Sequence, residues 1–349
     1  MRQMRVVYLV GGLWLLGLAS VPADEGRRPL FKPTLITEPG NYVVTRNISV
    51  DSGNVLTINC SNVTIDLNGN TLASTSSSGH IIELVAGSTN IVIENGRLSG
   101  GDVGVYAWNG TPVRLRLEDT EILSPASYGV RVYRGEHVEI VSCRFSGGGV
   151  AAVSVQGDLT PFNLATTGRF ERNVIDSACS GFYLTQLSRG LVRDNMIRTQ
   201  SSPVYACLGI SITDNGAAAG GSIIAYNTIQ AGTGPNDEAI LVSSSYNTVD
   251  HNTVSGGQNG IGVTRNETTG LAGNVIEDNV VSGCVQYGII VGSTNNLVQG
   301  NKIGGNGLAG LALTGASSSN AYRNNMLRGN PTAVLNQGVG NTDEGGNVF

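Results

Sequence analysis

The sequence predicts an all-β solenoid in which about twelve short coils stack through parallel strand pairing around one apolar interior. Three observations predict it. A unit recurs every 21 to 32 residues, written Gly-apolar-x-apolar, a turn, a short apolar stretch and then Asn-x-apolar. Within each unit, runs of three to five residues alternate apolar and polar with period two. They are too short for helices and are parted by Gly, Asn and Ser, so they read as strands. The composition agrees: 49 Gly and 10 Pro with 13% charged residues leave turn formers abundant and helix formers scarce. A helical bundle is thereby excluded, and 40% hydrophobic content at a net charge of −5 excludes disorder.

In chain order, Met1 to Ala23 reads as an export leader, with Arg2 and Arg5, an apolar run from Val6 to Leu18 and a small-residue cleavage site at Val21-Pro22-Ala23. The apolar run falls short of the roughly 20 residues that span a bilayer, and no later segment reaches that length, so leader removal leaves no membrane span. A secreted or periplasmic protein beginning near Asp24 is expected. Residues 24–349 form a single domain. Residues 30–53, with the turn Glu38-Pro39-Gly40-Asn41 before Tyr42, are expected to cap the first coil, because an open solenoid end is an aggregation-prone edge. Residues 54–335 carry the coils, and residues 336–349 close the other end.

The Asn element appears at Asn70, Asn173, Asn195, Asn227, Asn252, Asn279, Asn301 and Asn325, with Thr120 and Cys143 in the same slot. The Gly element appears at Gly104, Gly129, Gly181, Gly209, Gly260, Gly288 and Gly310, with Ala239 and Ala333 substituting. One unit cannot bury its apolar face alone, so successive units stack at about 4.8 Å per coil into a rod about 50 to 60 Å long. Stacked amides hydrogen-bond along the rod and to turn backbone, which gives the recurrent Asn a structural role.

The Asn ladder, the Gly-apolar-x-apolar strands and their period resemble the right-handed parallel β-helix proteins of the pectate-lyase-like superfamily over roughly residues 54 to 335. That resemblance implies a right-handed parallel β-helix with its substrate cleft on the sheet preceding the first turn. Its activities range over polysaccharide lyases, uronan epimerases, glycoside hydrolases, esterases, phage tailspikes and non-catalytic surface proteins, so the fold does not choose among them.

Projecting the coils locates a candidate site. The x positions of Gly-apolar-x-apolar point outward and align from coil to coil as Glu83, Tyr106, Arg131, Ser154, Tyr183, Ser211 and Leu241. Two residues later runs a second row, Val85, Trp108, Tyr133, Gln156, Thr185 and Thr213. Tyr106, Trp108, Tyr133 and Tyr183 with Glu83 and Arg131 thus form one outward patch, joined by Arg134. Aromatic rings beside charges suit a sugar polymer, whose CH faces pack on rings while hydroxyls and carboxylates take polar partners. The insertion from Gly157 to Thr167, with Asp158, Pro161 and Phe162, is expected either to wall this cleft or to fold over its rings. On the neighbouring sheet Arg114, Arg116, Glu118, Glu139, Arg169, Glu171 and Arg193 read as a solvated face of ion pairs.

A uronan lyase or epimerase removes the proton α to a carboxylate and needs charge neutralisation and a proton mover. Carried over by position from the resemblance, Arg131 is the neutraliser or base, Tyr106 or Tyr183 the proton mover, and Glu83 or Asp158 an accessory acid or calcium ligand. Two features depart from that pattern. Glu83 is the sole acid in its row where a calcium cleft presents several, and the Asp-Pro-His triplet of alginate epimerases is missing. A hydrolase needs paired carboxylates about 5 to 10 Å apart, whereas Glu83 and Asp158 lie several coils apart. Asp237-Glu238 reads as an ordinary exposed turn. Val249-Asp250-His251-Asn252 resembles a short lyase signature containing Ile-Asp-His and equally fits the ladder repeat, with Asn252 as its Asn. His80 reads as opening a turn and His137 as a surface residue.

Five cysteines permit at most two disulfides. Cys179 precedes Gly181 by two residues and Cys207 precedes Gly209 by two, placing them one coil apart at a separation a disulfide spans, so they are expected to pair. Cys143 takes a ladder slot and Cys60 an inward strand position as small buried thiols. The Asn-x-Ser/Thr matches at Asn47, Asn59, Asn62, Asn109 and Asn266 arise by chance in so Asn-rich a chain.

The acidic total excludes nucleic acid as partner. Residues 97 to 198 nevertheless carry eleven Arg against ten Asp and Glu, while residues 199 to 349 carry four basic against nine acidic residues, so an anion is least repelled in the middle. The function expected is an exported monomer acting on an acidic polysaccharide as lyase or C5-epimerase. The competing class is a carbohydrate-binding, structural or copper-associated periplasmic β-helix protein, and a glycoside hydrolase is third. Calcium is the one cofactor this reading admits.

Overall fold

A computed structural model describes residues 26–85, 87–108, 110–157, 165–214, 220–264 and 272–349. The leader, Asp158 with Pro161 and Phe162 of the insertion, and the acceptor matches at Asn109 and Asn266 lie outside the described residues. The chain is a right-handed parallel β-helix. Every pairing between its strands is parallel, and no helix occurs among the described residues. Accordingly, none of them forms a helix long and apolar enough to cross a membrane.

The strands fall into two systems. A 13-stranded sheet, here the front sheet, takes one strand from each coil, from Thr34–Ile36 to Thr332–Asn336. A 23-stranded system, here the back sheet, takes the remaining strands, and the long strands Ile91–Gly100 and Val113–Leu123 run through both of its faces. Residues 28–50 join by the same parallel pairing: Arg28–Leu30 and Val63–Asp66 both pair with Gly40–Val44, and Ile48–Val50 pairs with Thr71–Ser74.

Period-two alternation sends one apolar row of each strand inward. On the front sheet Val105, Val130, Val153, Phe182, Ile210 and Ile240 are fully buried, and on the back sheet Ile175, Ile197, Ile229, Val254, Val281 and Ile303 are buried nearly as deeply. Each such side chain contributes about 1.5–3 kcal/mol by leaving water. Phe145, Phe170 and Phe182 fill the wider coils in the middle of the rod, the last two meeting edge to face at 5.5 Å.

The Gly of the repeat has a packing cause. A Cβ at Gly129 would stand 2.5 Å from the Ala152 carbonyl oxygen of the next coil and 2.7 Å from the Phe145 ring inside the rod. The Gly position therefore faces inward, as does the apolar residue after it, so strict alternation breaks at the start of each front strand. The residue before the Gly faces outward.

The Asn ladder is continuous from Asn173 to Asn347. Each Oδ1 accepts from both the backbone N–H and the Nδ2 of the ladder Asn one coil earlier, as Asn252 does from Asn227 at 3.0 and 2.9 Å. Each Nδ2 also reaches an interior carbonyl, Val192 O for Asn227. Cys143 extends the row by donating its N–H to Asn173 Oδ1 at 2.9 Å. A second ladder runs through Asn247, Asn274, Asn296, Asn320 and Asn341 at another corner. Turn backbone is thus satisfied at both corners, so the coils stack without leaving these buried polar groups unpaired.

Candidate functional site

The front sheet holds its outward rows in register. Glu83, Tyr106, Arg131, Ser154, Tyr183, Ser211 and Leu241 are successive parallel partners, and Tyr133, Gln156, Thr185 and Thr213 form the row beside them. Arg131 is the centre of the arrangement. Its guanidinium lies 4.4 Å from the Tyr128 ring centre and 4.8 Å from that of Tyr133. Both rings pack on it, and among the described residues no carboxylate pairs with it; a contact of this kind at an accessible site is worth about 0.5–1 kcal/mol per ring.

A cleft of about 300 Å³ opens beside it, lined by Tyr128, Arg131, Ser154, Gln156, Tyr183, Tyr205 and Leu208 among others. Tyr183 and Tyr205 are exposed at its mouth. Tyr205 arrives from the segment after the strand Met196–Thr199, and two anchors hold that segment down. Cys179 and Cys207 are disulfide-bonded with Cα atoms 4.8 Å apart. The fully buried Asp237 accepts from Cys207 N at 2.9 Å, Ser201 Oγ at 2.7 Å and Gly234 N at 2.8 Å.

Around the cleft the other candidate residues take distinct places. Trp108 is 60% exposed and packs on Tyr133 with ring centres 4.3 Å apart, extending the aromatic surface. Tyr106 stacks on His80 at 4.1 Å; burial raises its phenol above the ordinary range and lowers the His80 imidazole below its own. Glu83 is tied to Asn54 Nδ2 and lies two coils from Arg131 along the row. Arg134 does not line the cleft: it takes a left-handed conformation at the strand end and donates to the Gly110 carbonyl. Asp158 lies outside the described residues.

Several expectations are corrected. Asp237 is no exposed turn residue but a buried anchor, and Glu238 is half-buried with its carboxyl against Asn259. His80 opens the strand His80–Leu84 rather than a turn. Cys60 sits just after the strand Leu56–Ile58, not within it. Tyr128 and Tyr205 line the cleft without having been singled out. The double inward step at Gly129 and Val130 turns Tyr128 outward against period two, and Tyr205 belongs to a connecting segment that no periodicity reaches.

On the back sheet the charged rows form ion pairs, among them Arg97–Glu121 at 2.7 Å, Arg114–Glu136 and Arg169–Glu171. Their exposed partners contribute little to stability. A shallow hollow of about 420 Å³ lies there between Arg144, Asp176, Met196, Arg198, Thr228 and Gln230. At the back-sheet turns of the next two coils, Asp250, His251 and Asp278 bring potential ligand atoms within 4.8 Å of one another.

Comparison with known proteins adds a family and a fold. Residues 162–347 match the family model described as periplasmic copper-binding protein (NosD). The chain is similar in structure to the periplasmic alginate epimerase AlgG, with a TM-score of 0.56 and 18% identity over 72% of this chain and 64% of that one. It is similar to tailspike protein 3 of bacteriophage CBA120, with a TM-score of 0.55 and 14% identity over 92% of this chain and 55% of that one. The Dettilon tailspike protein gives 0.53 and 13% over 88% and 61%. The chain thus spans less than two thirds of each of these structures, and at such identities the likeness is one of fold. No curated protein matches the chain in sequence.

Proposed function

The chain belongs to the family of periplasmic copper-binding NosD proteins, and from that premise we propose that it is an exported β-helix protein whose front-sheet cleft takes an acidic polysaccharide. The observation that carries the reading is Arg131, a guanidinium packed on the rings of Tyr128 and Tyr133 at the edge of an aromatic-lined cleft. A uronate residue presents a carboxylate for that charge and CH faces for Tyr183 and Tyr205. Export fits the disulfide between Cys179 and Cys207, since such bonds persist in oxidising compartments. The solved structures of similar fold are described as an alginate epimerase and phage tailspikes, which is in keeping with a carbohydrate ligand.

The reaction this cleft would support is proton abstraction α to the bound carboxylate. Arg131 offsets the charge that develops on the carboxylate, and the Tyr183 phenol, two coils along the same row, moves the proton. In elimination the pair of electrons left at carbon expels the C4 oxygen, which is protonated as it departs; in epimerisation a proton returns from the opposite face. The test is to incubate the mature protein with a panel of uronate polymers, with and without calcium. Ultraviolet absorbance reports an unsaturated uronide, proton exchange at C5 by NMR reports epimerisation, and calorimetry reports binding. Absorbance establishes a lyase and exchange an epimerase. Binding alone leaves a carbohydrate-binding module, and the absence of all three overturns the reading.

A further inference from the structure

We propose that Asp250, His251 and Asp278 form a copper(II) site at the back-sheet turn, separate from the front-sheet cleft. The metal is the one the family description names; the location comes from the turn itself. The residue before each ladder Asn adopts the left-handed conformation: Tyr226, His251, Asp278 and Gly300 have φ of 56°, 52°, 52° and 69°. Asn227, Asn252, Asn279 and Asn301 follow them and are locked amide to amide. The ladder therefore projects the side chains at 251 and 278 from equivalent points one coil apart. Asp250 stands beside them on the last strand position, paired in register with Glu277.

The donor set suits copper(II). One imidazole and two carboxylates are borderline and hard ligands, which divalent copper accepts and which suit the monovalent ion poorly. No cysteine joins the cluster among the described residues: Cys60, Cys143 and Cys284 lie against backbone carbonyls, and Cys179 and Cys207 are bonded to each other. The three ligand-bearing side chains reach within 4.8 Å of one another, and His251 and Asp278 are exposed enough to close on an ion.

Two further features prepare the site. A Cβ at Gly300 would stand 2.2 Å from Asp278 Oδ1, so the carboxylate rests in a space that only glycine at that coil leaves open. The His251 ring is held by contact of its Nδ1 with Asp250 and by stacking on Tyr226 at 5.0 Å and 24°. Among the described residues, the carboxylates at this turn are Asp250, Asp278 and Glu277, the last bonded to Gln299. Arg193 is turned onto the far ring, Tyr226, and to Asp194. The excess of negative charge favours a cation.

The experiment uses untagged mature protein titrated with copper(II) alone, followed by calorimetry and by electron paramagnetic resonance. One copper per chain is expected, with nitrogen coupling from a single imidazole. His251→Gln and Asp278→Asn are expected to weaken binding by at least about tenfold and His251→Gln to remove the nitrogen coupling. His137→Gln, at an exposed back-sheet histidine, should change neither. Melting measured without metal should be the same for all four proteins, which separates loss of ligands from loss of fold. Undiminished binding in His251→Gln and Asp278→Asn, or no stoichiometric copper in the parent, overturns the site; tighter binding of zinc than of copper overturns the choice of metal. None of these outcomes bears on the front-sheet cleft.

Discussion

Gly262 holds open the space that the Glu238 carboxyl fills: a Cβ built at residue 262 would stand 2.5 Å from Glu238 Oε2. Glu238 Oε1 accepts from Asn259 Nδ2 at 2.9 Å, while Oε2 is buried without a partner. Burial raises the Glu238 pKa above the ordinary carboxylate range, and the Asn259 bond opposes the shift only in part. A raised folded pKa means that the folded state holds the proton more tightly than the unfolded one. The contribution to stability is therefore complete below about 4.5 and is lost as pH rises through the folded pKa. Urea midpoints of the parent should fall across that window, whereas Glu238→Gln should match the parent at the acid end and stay level. Gly262→Ala should cost about 1–3 kcal/mol by overpacking, and less in a Glu238→Ala background, where the clash is gone. Equal costs in both backgrounds would show that the two residues do not share this space.

Arg131 makes a second test, because its partners among the described residues are rings rather than carboxylates. Arg131→Ala should weaken binding of a uronate polymer by roughly 1.5–3 kcal/mol, the value of a charge-assisted hydrogen bond, while lowering stability by about 1–2 kcal/mol through loss of its two ring contacts. Arg131→Lys keeps the charge and loses the planar stack, so it should fall between. Affinity of the parent should drop with added salt and that of Arg131→Ala much less. Tyr183→Phe should leave affinity close to the parent and abolish turnover if the phenol moves the proton. Calorimetry across a salt series checks the first three, and initial rates check the last.

The rows through Glu83, Arg131 and Tyr183 were legible in the sequence because Gly and Asn mark the phase of every coil independently, and one correct phase fixes a whole parallel register. What escaped has physical causes. Tyr128 is turned outward by two successive inward residues, Gly129 and Val130, a break in alternation that only the packing at Phe145 explains. Asp237 looks like a turn acid until three donors from the Ser201 to Cys207 segment and its own turn are seen to converge on it. The second ladder, from Asn247 to Asn341, was hidden because its Asn residues follow short connecting segments in which the chain is rich in Asn for other reasons. The neighbourhood of Asp250 and Asp278 could have been found by aligning the residue before each ladder Asn.

The ladder itself predicts a graded series. Asn227→Ala removes an acceptor from Asn195 N–H and Nδ2 and donors from Val192 O and Asn252 Oδ1, all in the buried interior. At about 1–3 kcal/mol for each polar group left unsatisfied, the loss should be on the order of 3 kcal/mol or more. Asn70→Ala should cost less, since its amide works at a more open turn near one end of the rod. Cys143→Asn should be tolerated within about 1 kcal/mol. Asn173 Oδ1 already receives the residue 143 N–H, and the Leu117 carbonyl now near the thiol offers the acceptor that an amide needs. Urea midpoints rank the three, and a larger cost at Asn70 than at Asn227 would contradict the ladder's role.

Cys179 and Cys207 join adjacent coils across 28 residues of sequence. Closing a loop of that length removes about 3–4 kcal/mol of chain entropy from the unfolded state, so a Cys179→Ser, Cys207→Ser double variant should be destabilised by that amount in calorimetric melting. The consequence for the cleft is separable from stability. Cys207 lies two residues after Tyr205, and its backbone is held independently by Asp237. If the disulfide is what keeps Tyr205 at the cleft mouth, the double variant should bind a uronate polymer more weakly even well below its melting temperature, and Tyr205→Ala should then add nothing further. If Asp237 alone suffices, melting falls while affinity holds, and it is Asp237→Asn that weakens binding. Measuring both affinities in the two backgrounds decides which anchor positions the ring.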